Sequence, residues 1–229
     1  MIKALIFDLD DTLYNEKTYV FGAFKEVSNY LGYKYNLDEI KLYNDILDIF
    51  HTNGRGKIFN ILCNKYNLDE SIERLIEIYR NSRPKLNLYD DAGKILKWGK
   101  EKGFSIGIIT DGCSKVQWNK VKSLDLENIV DKIIVTDDLG REYWKPHKRS
   151  YLEIVKFFNV KCGECVYIGD NPNKDFITCK KLDMKTVRII RKQGNYMKIF
   201  LDEEYEADIN INDLEELKDS IKSFDEKVI

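Results

Sequence analysis

Three carboxylates, Asp8, Asp10 and Asp11, follow directly on the apolar run Ala4-Leu5-Ile6-Phe7 near the start of the chain. Only Leu9 separates Asp8 from Asp10, so the two charges repel unless a cation or shared protons offset them. A hard divalent metal answers that repulsion. The same stretch also reads as a solvated turn with an Asx cap ahead of a helix. Three later places add groups that the first lacks. Thr110-Asp111-Gly112 ends an apolar run in a hydroxyl, Lys145 precedes Pro146, and Gly169-Asp170 runs through Pro172 to Asp175. Each has an ordinary account, with Thr110 or Asp170 as a helix cap and Lys145 as surface charge. Jointly the ordinary accounts explain far less than a shared site does.

Short apolar runs alternating with helical stretches must position these groups. The runs are Lys3 to Phe7, Ser105 to Ile109, Lys132 to Val135, Cys165 to Ile168, Thr186 to Ile190 and Asp208 to Ile211. Between them, Asp91 to Lys102, Ser114 to Ser123 and Ser150 to Phe158 have the length and amphipathicity of crossover helices. Leu214, Leu217 and Ile221 recur at helical spacing after Asn212 or Asp213, so the chain closes with a capped, docked helix. This pattern predicts an α/β fold, a doubly wound parallel sheet whose ligands gather at the carboxyl ends of the strands. One interval breaks the alternation. From Asn15 to Lys85 the pattern is helical throughout, roughly Glu16 to Leu31, Asp38 to Phe50, Lys57 to Tyr66 and Asp69 to Arg80. The expected domains are therefore a core of residues 1–14 and 86–229 and an inserted helical domain of residues 15–85, placed to cover the carboxylates.

Composition narrows the function class. The chain has 229 residues, 43% of them apolar and 33% charged, with a formal net charge of −2. That balance fits a soluble globular chain without a nucleic-acid footprint. No apolar run approaches the roughly 20 residues of a membrane-spanning helix, and no secretory signal is visible, so the expectation is the cytoplasm. The five cysteines are scattered, as reduced thiols are, and Cys162 with Cys165 reads as an incidental pair because no second pair or nearby His completes a zinc site. Nothing in the sequence fixes the oligomeric state.

With these residues in view, the chain resembles the haloacid dehalogenase (HAD) superfamily over nearly its whole length. Asp8-Leu9-Asp10-Asp11-Thr12 is similar to the family's first motif, Thr110 to the second, Lys145 to the third and Gly169-Asp170 through Asp175 to the fourth. The helical interval is similar to the C1-type cap, which in that family helps to select substrate. The resemblance implies Asp8 as nucleophile, forming an aspartyl phosphate, and Asp10 as the group that protonates the leaving oxygen and then takes a proton from water. It implies Mg²⁺ held by Asp8, the Asp10 backbone carbonyl and Asp170, with Asp175 acting from behind these ligands. Thr110 and Lys145 would hold the phosphoryl oxygens, helped by backbone N–H groups near Leu9 and Asp111, and Thr12 would shape the turn.

The carboxylate at Asp10 separates the phosphoryl-transfer branch from dehalogenases, which resemble this chain but lack that carboxylate and use no metal. The resemblance thus implies a Mg²⁺-dependent phosphatase acting on a small phosphorylated metabolite, with no nucleic-acid or membrane partner. A phosphomutase of the same superfamily and a non-catalytic binding protein on the same scaffold are the alternatives. For the substrate, Arg55 with His51 and Lys57 on the helical insert is expected to meet an anionic or hydroxylated leaving group, although a solvated Gly-rich turn explains that loop equally well. Tyr14 and Asn15 lie at the expected hinge and would also line the pocket. Asp111 is counted among the substrate-binding residues, yet it stands where relatives often carry Asn and would add negative charge unless it turns away. His147 stands where similar chains often carry Pro. Trp118 is read as core packing on the helix that also carries Gln117.

Overall fold

Runs of apolar residues without alternation form strands covered on both faces. In a computed structural model of the chain, which describes residues 1–226, these runs become β1 (Ala4–Phe7), β2 (Ser105–Thr110), β3 (Lys132–Val135), β4 (Cys165–Gly169), β5 (Lys185–Ile189) and β6 (Ile209–Ile211). All pair in parallel in one sheet of order β3-β2-β1-β4-β5-β6. The order reverses between β1 and β4. A crevice forms at such a switch point, outside the carboxyl ends of the strands. Register makes the two central strand ends coincide: Phe7 lies opposite Ile168, and the Asp8 N–H donates to the Ile168 carbonyl at 2.7 Å.

The crossover helices that match the sequence pattern are α5 (Asp90–Glu101), α6 (Ser114–Ser123) and α7 (Arg149–Phe158), with the short α8 (Ile177–Lys181) following β4. Ala4, Ile6, Ile109, Cys165 and Tyr167 turn to one face, where Tyr151 and Ile154 of α7 and Cys179 of α8 join them in a buried cluster. Gly107 lets α7 approach, since a Cβ there would collide with Ile154. Asp213 accepts from the Glu215 N–H and starts a single turn that leads into the closing helix α9 (Leu217–Glu226), which buries Leu217, Ile221 and Phe224.

The chain divides into two compact units, Lys17–Leu86 and the remainder formed by Met1–Glu16 with the chain from Asn87 onward. The insert contains α1 (Glu16–Tyr35), α2 (Glu39–Asn53), α3 (Ile58–Tyr66) and α4 (Ile72–Asn81). It has its own buried core of Phe24, Val27, Leu31, Leu42, Ile46, Phe59 and Leu62, among others. Local signals set its helix ends. Asp38 caps α2 through the Ile40 and Lys41 N–H groups at 2.9 and 3.0 Å, and Asn67 ends α3 in the left-handed conformation. The fourth helix begins later than the sequence pattern indicates, because Ser71 and not Asp69 supplies the capping oxygen, to the Arg74 N–H. All five cysteines are free thiols. No helix among the described residues is long and apolar enough to cross a membrane.

Candidate active site

The ends of β1 and β4 bring three buried carboxylates together. One oxygen from each of Asp8, Asp170 and Asp175 lies within 4.8 Å of the others. Lys145 ties part of this cluster, its ammonium donating to Asp8 Oδ1 at 2.5 Å, Asp175 Oδ1 at 2.7 Å and the Tyr167 hydroxyl at 2.9 Å. An ammonium has three N–H donors, and all three are accounted for. The side chain of Lys145 is fully buried. Burial alone would lower its pKa, but Asp175 and Asp8 raise it well above the usual lysine value, so it stays charged. Asp175 is anchored a second time, by the Asn171 N–H at 3.0 Å. Gly169 makes room for that carboxylate, since a Cβ at residue 169 would stand 2.5 Å from Asp175 Oδ2.

Asp170 differs from its neighbours. Its Oδ2 is buried without a hydrogen-bond partner among the described residues. Burial, then the charges of Asp8 and Asp175, push its pKa well above the ordinary aspartate value. Burial likewise pushes Asp8 up to about 7, with Lys145 pulling the other way and Asp175 adding to the rise. An acceptor left unsatisfied in a buried site, beside carboxylates that resist ionisation, fits an all-oxygen cation site. Asp8, Asp10, Asp111, Asp170 and Asp175 outnumber the three ammonium groups beside them, those of Lys120, Lys145 and Lys174, an excess of carboxyl groups that a divalent cation would suit.

Thr110 ends β2, adjacent to β1. Its Oγ1 accepts from Gln117 Nε2 at 2.5 Å, which leaves the hydroxyl proton available to a phosphoryl oxygen. The Asp111 side chain is engaged by the protein at both oxygens. Oδ1 accepts from the Thr136 hydroxyl at 2.6 Å and the Lys145 N–H at 3.1 Å, while Oδ2 pairs with Lys174 at 3.0 Å. Burial raises its pKa, yet Lys145 and Lys174 more than offset this and hold it below the usual range. The added charge that the sequence poses at this position is met by a lysine four residues after Asp170.

Asp10 has a separate set of partners. Lys120 Nζ stands 2.7 and 2.8 Å from its two oxygens, Gln117 Nε2 donates to Oδ2 at 3.0 Å, and the Tyr14 hydroxyl donates to Oδ1 at 2.6 Å. Burial favours the protonated form, but Lys120 overrides it and lowers the pKa of Asp10. Burial and the neighbouring Asp10 charge raise the Tyr14 pKa well above its usual value, so its hydroxyl remains the donor. Lys120 is the residue that the sequence reading missed. On an amphipathic helix a lysine reads as solvent-facing, and only its i+3 relation to Gln117 signals a shared face. Trp118 corrects in the other direction: it is half-buried and donates from Nε1 to Asp138 at 2.8 Å, while the side chain that turns inward is Gln117.

Asp11 serves the turn itself. At φ 56° it adopts the left-handed conformation, with its carboxylate accepting from the N–H groups of Glu16 and Asn195, each at 3.0 Å. Thr12 is fully buried, and its carbonyl accepts from Arg191 at 2.7 Å. Arg55 belongs to the helical unit, where it lines a cavity of about 340 Å³ with Phe24, Phe59, Ile76, Tyr79 and Arg80.

A parallel sheet of this order, with acidic groups at its switch point and a hydroxyl and a lysine beside them, defines the class of an α/β enzyme built for phosphoryl chemistry. Comparison supplies the family. Residues 5–189 match the family model described as haloacid dehalogenase-like hydrolase, and the chain belongs to that family. It is 34% identical to a glyceraldehyde 3-phosphate phosphatase of Methanocaldococcus jannaschii, over 97% of this chain and 98% of the relative. A protein of the same name from Pyrococcus furiosus is 30% identical, over 94% of this chain and 91% of the relative. Among solved structures, a HAD phosphatase from Thermococcus onnurineus superposes with a TM-score of 0.63 at 26% identity, covering 96% of this chain and 98% of the other. The chain is accordingly a phosphatase of the HAD superfamily, and the parallel α/β architecture expected from its sequence is the one found.

Proposed function

We propose that this chain is a Mg²⁺-dependent phosphatase that hydrolyses a small phosphate monoester through an aspartyl phosphate on Asp8. The observation that carries the reading is the unpartnered Asp170 Oδ2, buried beside an Asp8 carboxylate that Lys145 grips by one oxygen. Asp8, Asp170 and the Asp10 carbonyl would hold the cation. When bound, it neutralises the site so that one anion can approach another, and it polarises a phosphoryl oxygen.

The chain's own groups then divide the work. Thr110 donates its hydroxyl proton to one phosphoryl oxygen, and Lys145 turns to another the N–H that it otherwise gives to Asp8. An Asp8 oxygen forms the bond to phosphorus as the bond to the leaving oxygen breaks. A phosphate dianion arriving beside Asp10 adds like charge, which favours the protonated carboxyl that gives its proton to the leaving oxygen. After departure, Asp10 is again the carboxylate that Lys120 favours, ready to take a proton from the water that releases phosphate from Asp8. The free thiols fit a reducing compartment, and the cytoplasm is the proposed location.

Its relatives make glyceraldehyde 3-phosphate the first substrate to test, within a panel of sugar phosphates, nucleoside monophosphates, phospho-acids and p-nitrophenyl phosphate. The expected result is Mg²⁺-dependent phosphate release that EDTA abolishes, with a triose phosphate among the best substrates. Release that persists in EDTA would refute the metal-dependent reading.

Metal binding also predicts a pH-dependent stability. The folded pKa of Asp8 lies above its unfolded value, so in metal-free protein its contribution is complete below pH 4 and is lost as pH rises through about 7. Mg²⁺ binds the ionised form and restores stability where that loss occurs. At a hundredfold excess over Kd, the gain of about 2.7 kcal/mol corresponds to a rise in Tm of roughly 5–10 °C at pH 8, and to less at pH 5. Thermal melts of chelator-treated protein at both pH values check this, and equal shifts at the two would count against a cation on Asp8.

A further inference from the structure

We propose that Lys120 is a positioning residue of the hydrolytic half-reaction, fixing Asp10 so that the carboxylate meets the water that opens the aspartyl phosphate. The inference rests on the phosphatase reading above and adds a residue that none of the four motifs contains. Lysine is almost never fully buried unless paired, yet Lys120 is 3% exposed, in the middle of α6. Its ammonium spans both oxygens of Asp10 at 2.7 and 2.8 Å.

The surroundings show why one further donor matters. Tyr14 reaches Oδ1 alone, and Gln117 reaches Oδ2 alone. Either contact by itself leaves the carboxylate free to turn about its last bond. Lys120 closes the arrangement from the side of α6, where Gln117 lies one turn earlier and uses its other amide hydrogen on Thr110. One helix face therefore places both the group that takes the proton and the hydroxyl assigned to a phosphoryl oxygen. A general base must stand within hydrogen-bond reach of its proton, and a displacement of about 1 Å can lower a rate on the order of 100-fold.

The test uses p-nitrophenyl phosphate, whose leaving group departs without a proton. In Lys120→Met, formation of the aspartyl phosphate should be little affected and its hydrolysis slowed. The expected result is a fall in kcat of about 100-fold with a parallel fall in KM, so that kcat/KM changes far less. Rapid-quench traces should show a burst of one p-nitrophenolate per active site, the mark of an accumulating covalent intermediate. Lys120→Arg should recover most of kcat and remove the burst. Should Lys120→Met fail to fold by circular dichroism and melting, Lys120→Gln takes its place with the same expectation. Wild-type kcat in the neutral variant overturns the proposal, as does a loss shared equally by kcat and kcat/KM without a burst, which is what a merely structural lysine would give. Failure of the phosphatase reading looks different: turnover would survive in Asp8→Asn, and the present inference would fall with it.

Discussion

Asp8→Asn should lower kcat on the order of 10⁴-fold or more while leaving the protein at least as stable as the wild type in EDTA at pH 8. The first half follows from removing the nucleophile, whose loss in covalent catalysis is not made up by the remaining groups. The second half follows from electrostatics. Asp8 is buried beside Asp175 and Asp170, and above its raised pKa it carries a charge that burial opposes. An amide of the same shape keeps an oxygen for Lys145 and removes that charge. Inactivity with undiminished stability is the expected signature of a group kept for chemistry at the expense of the fold. Phosphate release and melting curves on one preparation test both halves. Turnover above one per cent of wild type, well over the roughly 10⁻⁴ expected, would show that another group attacks phosphorus.

The sequence disclosed the scaffold because buried parallel strands must be apolar throughout, and Ala4 to Phe7 and Cys165 to Ile168 admit little else. It also exposed the carboxylates, since Asp8 and Asp170 follow such strands with no apolar residue of their own to pack. What it concealed are contacts made by ordinary helix residues. Lys120 and Gln117 belong to α6, where a polar face is the normal condition of a surface helix, and they face Asp10 only because β2, from whose carboxyl end that helix follows, lies next to β1 in the sheet. Lys174 is a similar case: a charged loop residue carries no sign that it will pair with Asp111, 63 positions earlier. Arg191 joins Asp91 at 2.5 Å and the Thr12 carbonyl across still longer separations. The strand-end groups were legible as types. Their partners required the fold.

Lys145→Met should abolish turnover and destabilise the protein by about 3–5 kcal/mol, the effect of removing one member of a buried ion pair. For a chain of this size that corresponds to a loss of roughly 10 °C in Tm. The deficit should depend on pH in a fixed direction. Without the ammonium, Asp8 sits buried beside Asp175 and loses the charge that pulls its pKa down, so its folded pKa rises further. A carboxyl with a raised folded pKa contributes stability that is complete below its unfolded value and is lost as pH climbs through the folded one. The gap between variant and wild type should therefore be smaller at pH 5 than at pH 8. Chelator-treated protein makes the comparison clean, because the cation would otherwise replace part of the missing charge. A gap that is constant with pH would mean that Lys145 acts through the packing of its four-carbon stem, and that the carboxylates at the ends of β1 and β4 are neutral without it. A gap that widens identifies the ammonium as the charge that lets two buried aspartates face the same phosphoryl group.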